Sequence, residues 1–468
     1  MRPVLANLGF ILQISGLLTV IPIVIAFYFN ESRALDSFFL TAVVSLIAGF
    51  LLNALCERKE LDFRYSCMLL TIAYFLIGLV GCIPYVYLNI FASQDPVSRF
   101  TDGYFESISG FTTTGFSLIT DVDILPRSIL FYRSMTQWIG GIGIIFILLA
   151  FFYPSEEITH FIKTVGIERI GRSLKTLLAF ILFVYTLYLL IFTPALYFTS
   201  ISDPVKAVSL VFSSLTTGGF SPLKDLSKLA NYTVGLILGI LMIAGAVNFR
   251  THYWIINRQL RRGLTKEFQL FLAIIIAGAI AIYWLTGLDP YTVLFHTVSA
   301  STTTGFQFID LAKLGINAKL VLILLMLIGG CTFSTAGGVK VLRLIIFLKA
   351  IPWLVKRAVS KKIEPLKLEG MIMGDVDVVF SLMIPILALA LVSISAPIFF
   401  LNGYSFVDSL FEVTSAFATA GLSVGIVSIF MPLGLKWLLI ILMVLGRIEV
   451  VPLLVALGLR IRRSYRWA

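Results

Sequence analysis

Long apolar stretches recur throughout this chain, at approximately 5–29, 37–57, 68–91, 128–152, 175–198, 232–256, 268–286, 318–350, 377–401 and 434–459. About 20 residues of α-helix are needed to cross the roughly 30 Å hydrocarbon core of a bilayer. The expected fold is an all-α membrane protein with about ten transmembrane helices. Composition agrees, with 59% hydrophobic and 13% charged residues and a mean hydropathy of +0.98.

The polar intervals 156–175 and 356–377 are too short to bury a core of their own. A nucleotide-binding or catalytic domain would have to come from a partner. A net charge of +11 and a pI near 9.4 suit a nucleic-acid binder only if a soluble fold presents a basic face, so no nucleic-acid partner is expected. With ten crossings, the loops on the side of the termini hold most of the cations, among them Arg2, Arg58, Lys59, Lys163, Arg169, Arg258, Arg261, Arg262, Lys361, Lys362 and Arg460. The positive-inside rule makes that side, and both termini, cytoplasmic, in a multi-pass protein of the cell (plasma) membrane with lipid around it. The apolar stretch that runs to Phe29 reads as a retained first helix rather than a signal peptide. Cys56, Cys67, Cys82 and Cys331 lack metal-ligand spacing and read as small buried hydrophobes.

On this topology four outer loops each contain a further half-apolar segment too short to span, and the four align without a gap. They end in Thr112-Thr113-Thr114-Gly115, Thr216-Thr217-Gly218-Gly219, Thr302-Thr303-Thr304-Gly305 and Ala418-Thr419-Ala420-Gly421. Aligning the last glycines also aligns Ser109, Ser213, Ser299 and Ser415, and places Arg99, Asp203, Asp289 and Ser405 at the segment starts. Asp203-Pro204 and Asp289-Pro290 carry an N-cap followed by proline at the first helical position. Each segment is therefore expected to be a re-entrant pore helix whose carboxyl end points inward, a polarity that favours a cation. Glycine allows backbone carbonyls to turn toward an axis, and threonine hydroxyls add acceptors. The competing reading of any one copy is a simple turn at a helix end.

A helix, a pore segment and a second helix, four times in one chain, resembles the Trk/Ktr/HKT superfamily of cation transporters. Gly329-Gly330-Cys331-Thr332-Phe333-Ser334-Thr335-Ala336-Gly337-Gly338-Val339-Lys340 looks like its intramembrane gating loop, and Gly446-Arg447-Ile448-Glu449 like its GRxE signature. The resemblance implies a two-helix N-terminal extension at 1–60 and repeats at 61–155, 156–262, 263–362 and 363–468, with pore loops at 99–117, 203–221, 289–307 and 405–423. It implies potassium as the transported ligand at the four Thr/Gly stretches, because glycine in all four filters goes with potassium preference there. The alternative is a sodium-selective or potassium/sodium-cotransporting member. It further implies a homodimer, and a TrkA-like nucleotide-binding ring on the cytoplasmic face. No cofactor is expected in the chain itself.

Gly329, Gly330, Ser334, Thr335, Gly337, Gly338, Lys340 and Arg447 are the expected gating residues. Arg447 either holds the loop across the pore or pairs locally with Glu449 or a cytoplasmic acid. Phe333, an unusual residue for such a loop, is expected to plug or stiffen it. Ala418 and Ala420 remove hydroxyls from the fourth filter, so fewer sharp ion sites are expected than in a symmetric pore. Glu106, His296 and Glu412 share one register, with Leu210 as the fourth member, and either tune the filter from behind or hydrogen-bond a buried helix. Asp102 and Asp408 also align; they either draw cations to an outer mouth or complement a helix dipole. A transporter of another class would show paired inverted halves. No HExxH, GxSxG or acid/base constellation marks an enzyme.

Overall fold

The computed structural model describes residues 2–56, 61, 63–93, 95–152, 174–199, 201–223, 231–360, 365–368, 371–450, 452 and 454. Six helical stretches among them are long and apolar enough to cross a bilayer, from Arg2–Tyr28 to Val378–Leu401, or up to seven if the bent pair Tyr232–Ala246 and Phe249–Ile256 is one span. Large side chains such as Trp284 (81% exposed) and Phe198 (83%) face outward. Polar and charged groups are drawn inward, Arg133 and Lys436 being almost inaccessible. This inversion of a soluble protein's surface is expected of a chain solvated by lipid tails.

The N-terminal pair, Arg2–Tyr28 and Ser32–Leu55, packs through small residues. Ser37, Thr41 and Ser45, one turn apart on the buried face, satisfy their hydroxyls on carbonyls of their own helix at 2.7 Å each. The pair is fastened to the first repeat by Glu31, whose carboxylate accepts the amides of Arg127 (2.7 Å) and Ser128 (3.1 Å) and the Ser128 hydroxyl. It thereby caps the helix Arg127–Phe152.

Two expectations need correction. The stretch 232–256 is not one straight span: it bends by 110° between Ala246 and Phe249. Val247 is extended, and Asn248 restarts the helix by accepting the amide of Arg250 at 2.9 Å. The final helix, expected to run from 434 to 459, is broken after Arg447, and the described residues beyond the break, Pro452 and Leu454, are again helical. At the break Glu449 and Val450 take left-handed conformations, φ +63° and +61°. The all-α fold class holds, with one small addition: Leu366–Leu368 and Met371–Met373 pair as a short antiparallel hairpin. The basic positions at 58–59, 163–172, 361–362 and 460–466 lie outside the described residues.

Candidate functional site

Four short helices, Pro96–Phe111, Pro204–Leu215, Pro290–Ser301 and Phe406–Phe417, lead into the four Thr/Gly stretches. Asp203 and Asp289 cap the second and third by accepting the amides of Val205 (2.9 Å) and Thr292 (3.0 Å). Ser405 and Asp408 form a capping box at the fourth, the Ser405 hydroxyl accepting from the Asp408 amide and donating to its carboxylate. In the first repeat the start is one turn earlier than Arg99. There Asp95 accepts the Ser98 amide at 2.9 Å and Pro96 follows. The Asp-Pro signature is present, but an alignment without gaps steps past it.

At the other end all four helices close in the same way. The amides of Thr113 and Thr114 donate to the carbonyls of Gly110 and Ser109, both at 2.9 Å, and equivalent pairs recur from Thr217 and Gly218, Thr303 and Thr304, and Thr419 and Ala420. This is a Schellman cap, in which the left-handed position normally belongs to glycine. Here it is threonine each time, at φ between +49° and +55°. For a β-branched residue that conformation is strained, and four copies of it mark a place where backbone shape is held against local preference. With their amides turned back onto the helix, the stretches leave carbonyls to face elsewhere. Among the described residues, those of Thr114, Gly115, Gly219, Thr304, Gly305, Ala420 and Gly421 accept no hydrogen bond.

The four stretches meet in a closed ring. A Cβ placed on Gly115 would lie 2.1 Å from the carbonyl oxygen of Gly218, one on Gly219 1.9 Å from that of Thr304, one on Gly305 2.2 Å from that of Ala420, and one on Gly421 2.0 Å from that of Thr114. Each repeat thus touches the next in chain order, and the fourth returns to the first. All four glycines also have positive φ, between +74° and +92°. Both features require glycine.

Behind the ring, Glu106, His296 and Glu412 do one job. Each accepts the backbone amide three residues beyond its own repeat's last glycine: Leu118 at 3.0 Å, Phe308 at 3.2 Å and Val424 at 3.2 Å. His296 spends its other ring nitrogen on the carbonyl of Thr292 at 2.8 Å, which leaves no lone pair for a metal. In the second repeat the acceptor's position is held by the apolar Leu210, and the residue three beyond Gly219 is Pro222, which has no amide to offer. The apolar exception is therefore matched by its partner. Leu210→Glu should destabilise the protein, because an unpaired buried polar group costs about 1–3 kcal/mol. Adding Pro222→Ala should restore part of the loss, read as the apparent melting temperature in detergent. Equal melting temperatures for the single and double variants would refute the pairing.

Polar residues that the sequence reading passed over reinforce the ring. Arg133 donates to Glu106 (2.8 Å), Ser117 (3.0 Å) and the carbonyl of Ser221 in the next repeat (3.1 Å). Its guanidinium lies 4.2 Å from the centre of the Phe220 ring. Gln137, one turn on, bonds the Gly218 carbonyl (2.5 Å) and the Phe220 amide (3.2 Å). Gln307 holds Ser423 of the fourth repeat by its amide (2.9 Å) and carbonyl (3.2 Å). The signal for Arg133 and Gln137 was available: ionisable and amide side chains inside apolar spans are costly unless paired.

Asp102 and Asp408 do not present free charge at an outer mouth. Lys436 reaches Asp102 at 2.6 Å and Lys319 reaches Asp408 at 2.7 Å. Lys206 with Asp123 (3.0 Å) and Arg127 with Asp203 (3.1 Å) join the first and second repeats in the same manner. At the remaining junction the Tyr232 and Tyr291 rings meet at 4.7 Å. These contacts tie neighbouring repeats together.

The loop 329–340 separates the helices Ile316–Ile328 and Val341–Ser360 and lies against the inner edge of the ring. The Gly337 amide donates to the Thr303 hydroxyl at 2.6 Å, and the Gly338 amide to the Ala418 carbonyl at 3.1 Å. Gly329 has φ +71°, and its Cβ would sit 2.2 Å from the Gly337 oxygen. Gly330 accepts the Val341 amide at 3.0 Å. Ser334 closes a turn onto the Cys331 carbonyl at 2.5 Å, and Lys340 folds back onto the Ala336 carbonyl. The Thr335 hydroxyl bonds the carbonyls of Gly245 (2.9 Å) and Leu215 (3.2 Å). Arg447 donates to the carbonyl of Thr335 at 2.7 Å and to that of Gly140 at 3.1 Å. Glu449 pairs instead with Arg343. Phe333 packs edge-on to Phe249, 5.6 Å between ring centres.

Comparison with known proteins agrees with this architecture. Residues 34–285 and 288–461 match the family model TrkH, described as a cation transport protein. A cation transporter of Methanocaldococcus jannaschii, itself uncharacterised, is 31% identical over 97% of this chain and 94% of its own length. The Trk system potassium uptake protein TrkH of Escherichia coli K12 is 27% identical over 85% of this chain and 86% of its own. The crystal structure of the potassium transporter TrkH from Vibrio parahaemolyticus superposes with a TM-score of 0.85, covering 97% of this chain and 98% of that one at 24% identity. The chain is a multi-pass membrane protein and belongs to the TrkH family of cation transport proteins.

Proposed function

We propose that this chain is the channel-like, pore-forming subunit of a Trk-type potassium uptake system, and that the four Thr/Gly stretches are its selectivity filter. The observation that carries this reading is the closed ring of glycines and carbonyls, each glycine pressed against the backbone of the next repeat. Carbonyl dipoles around an axis replace the hydration shell of a monovalent cation, and the carboxyl ends of four helices add partial negative charge beneath them. The relatives named for potassium uptake support the same ion. Membership of a transporter family likewise supports a transport rather than an enzymatic role.

The loop 329–340, which bonds Thr303 and Ala418 at the ring's inner edge, is on this reading the gate, and Arg447 its latch. The wider picture contains ten crossings, both termini in the cytoplasm of the cell membrane, two copies per assembly and a nucleotide-binding regulatory ring on the cytoplasmic face. The division into repeats at 61–155, 156–262, 263–362 and 363–468 belongs to the same picture. Reversal potentials of reconstituted protein under opposed potassium and sodium gradients test the ion. They should follow the potassium gradient; a reversal that tracks sodium would transfer the chain to the sodium-transporting branch.

A further inference from the structure

The connection from the second repeat to the third is fastened to the intramembrane loop at both ends. At its entry, beside the 110° bend, the Cys331 amide donates to the Ala246 carbonyl (2.9 Å), the Thr335 amide to the Gly245 carbonyl (3.1 Å), and the Phe249 amide to the Phe333 carbonyl (3.2 Å). At its exit the Glu267 carboxylate accepts the Thr332 amide (2.6 Å) and hydroxyl (2.9 Å). Between these anchors run the helix Phe249–Ile256 and the single turn Leu260–Gly263. Displacing this segment therefore pulls on the loop from two sides.

The outward side chains of the segment are of two kinds. Arg258, Arg261 and Arg262 line a shallow surface hollow with Gln259 and Leu260. Among the described residues no carboxylate pairs with these three arginines. Arg262 is oriented by Gln259 Oε1 at 2.9 Å and by the Trp254 ring, 5.3 Å from its guanidinium. Interleaved with them, Ile255, Ile256, Leu260 and Leu264 are between 42% and 62% exposed. A segment bent off the axis of its span, with cations and exposed aliphatics in one short run, suits a bilayer boundary. Its apolar side chains enter the acyl layer while its arginines meet phosphates. A guanidinium binds phosphate through two parallel hydrogen bonds.

We propose that residues 249–266 form a binding site for the phosphate headgroups of anionic phospholipids, and that lipid occupancy biases the intramembrane loop through the two anchored ends. The coupling rests on the reading of that loop as the gate; the binding site does not. A soluble protein partner would meet the same arginines but would leave the four aliphatic side chains without an apolar layer.

Two measurements on the full-length protein test the two halves. Native mass spectrometry should find phosphatidylglycerol retained by the parent and at least about fivefold less of it retained by the triple variant Arg258→Gln, Arg261→Gln, Arg262→Gln, since each surface cation contributes on the order of fivefold in affinity for an anionic leaflet. Equal retention would overturn the site. So would a triple variant that keeps its lipid but loses a cytoplasmic protein partner. In liposomes, basal ion flux of the parent should differ between pure phosphatidylcholine and an equal mixture with phosphatidylglycerol, while the triple variant should not respond. Glu267→Ala should keep the lipid and lose the response, because it cuts one anchor. A parent indifferent to lipid would overturn the coupling and leave the site standing. Failure of the gate reading would appear separately, as unchanged flux in Arg447→Gln.

Discussion

Replacing Gly305 by alanine should lower potassium-over-sodium discrimination by about tenfold or more, in a protein that still inserts and folds. A methyl group there would lie 2.2 Å from the carbonyl oxygen of Ala420, far inside contact distance, and would occupy a residue held at φ +92°. Such conformations cost a residue bearing Cβ on the order of 1–3 kcal/mol. A change of about 1.4 kcal/mol between competing ions is already tenfold. The filter has to widen at the junction of the third and fourth repeats, and the carbonyl cage loses its fit. Gly287→Ala is the control, because Gly287 has φ +63° but nothing within 4 Å of its missing Cβ. It shares the backbone strain without the contact and should leave selectivity alone. The permeability ratio from bi-ionic reversal potentials decides the matter. A parental ratio in Gly305→Ala would remove the ring from the account of selectivity.

What the sequence made legible follows from periodicity and chemistry. Apolar runs reveal spans because the bilayer imposes their length, and the gap-free Thr/Gly stretches reveal a fourfold unit because each copy must make the same turn. What it concealed depends on which residues meet. Nothing in the order of the chain says that Glu106 and Leu118, or His296 and Phe308, are partners. Once one pair is seen, Leu210 opposite Pro222 becomes predictable. The expected start at Arg99 failed because the first pore helix has 16 residues where the other three have 12. Alignment from the glycine could not register an extra turn at the far end. The bend at Ala246 was missed because hydropathy is blind to direction, although Asn248 is a good helix start in the middle of an apolar run. The pairing of Asp102 and Asp408 was hidden for a different reason: their lysines come from other repeats, Lys436 lying at the far end of the chain.

The asymmetries of the ring have a physical pattern. The fourth filter, with Ala418 and Ala420, lacks the hydroxyl pair that Thr112 and Thr114 form at 2.8 Å and Thr302 and Thr304 form at 2.7 Å. That same quarter receives the loop, since the Ala418 carbonyl accepts the Gly338 amide and a Cβ on Gly337 would meet the Ala418 oxygen at 2.0 Å. A threonine hydroxyl group here would compete for these polar contacts. The loss of hydroxyls from the fourth filter and the seating of the loop on it therefore belong to one local arrangement, whereas the second filter lacks the pair because Gly218 stands at the equivalent position.

Changing Arg447 to glutamine should raise basal ion flux by about tenfold while the permeability ratio stays near that of the parent. Arg447 is 6% exposed and joins three repeats, through its own helix, the Thr335 carbonyl and the Gly140 carbonyl. A hydrogen bond from a charged group contributes about 1.5–3 kcal/mol, so losing even one is enough to shift a closed-to-open equilibrium about tenfold. Glu449 offers no substitute anchor, because its carboxylate is engaged by Arg343. Thr335→Val separates the latch from the loop's other supports. It removes the hydroxyl bonds to Gly245 and Leu215 but keeps the carbonyl that Arg447 holds, and should raise flux less. Selectivity should persist in both, since neither variant touches a filter glycine. If both variants fold and conduct no more than the parent, the contacts of Arg447 serve packing, and the barrier to ion flow lies elsewhere than in the loop beneath the filter.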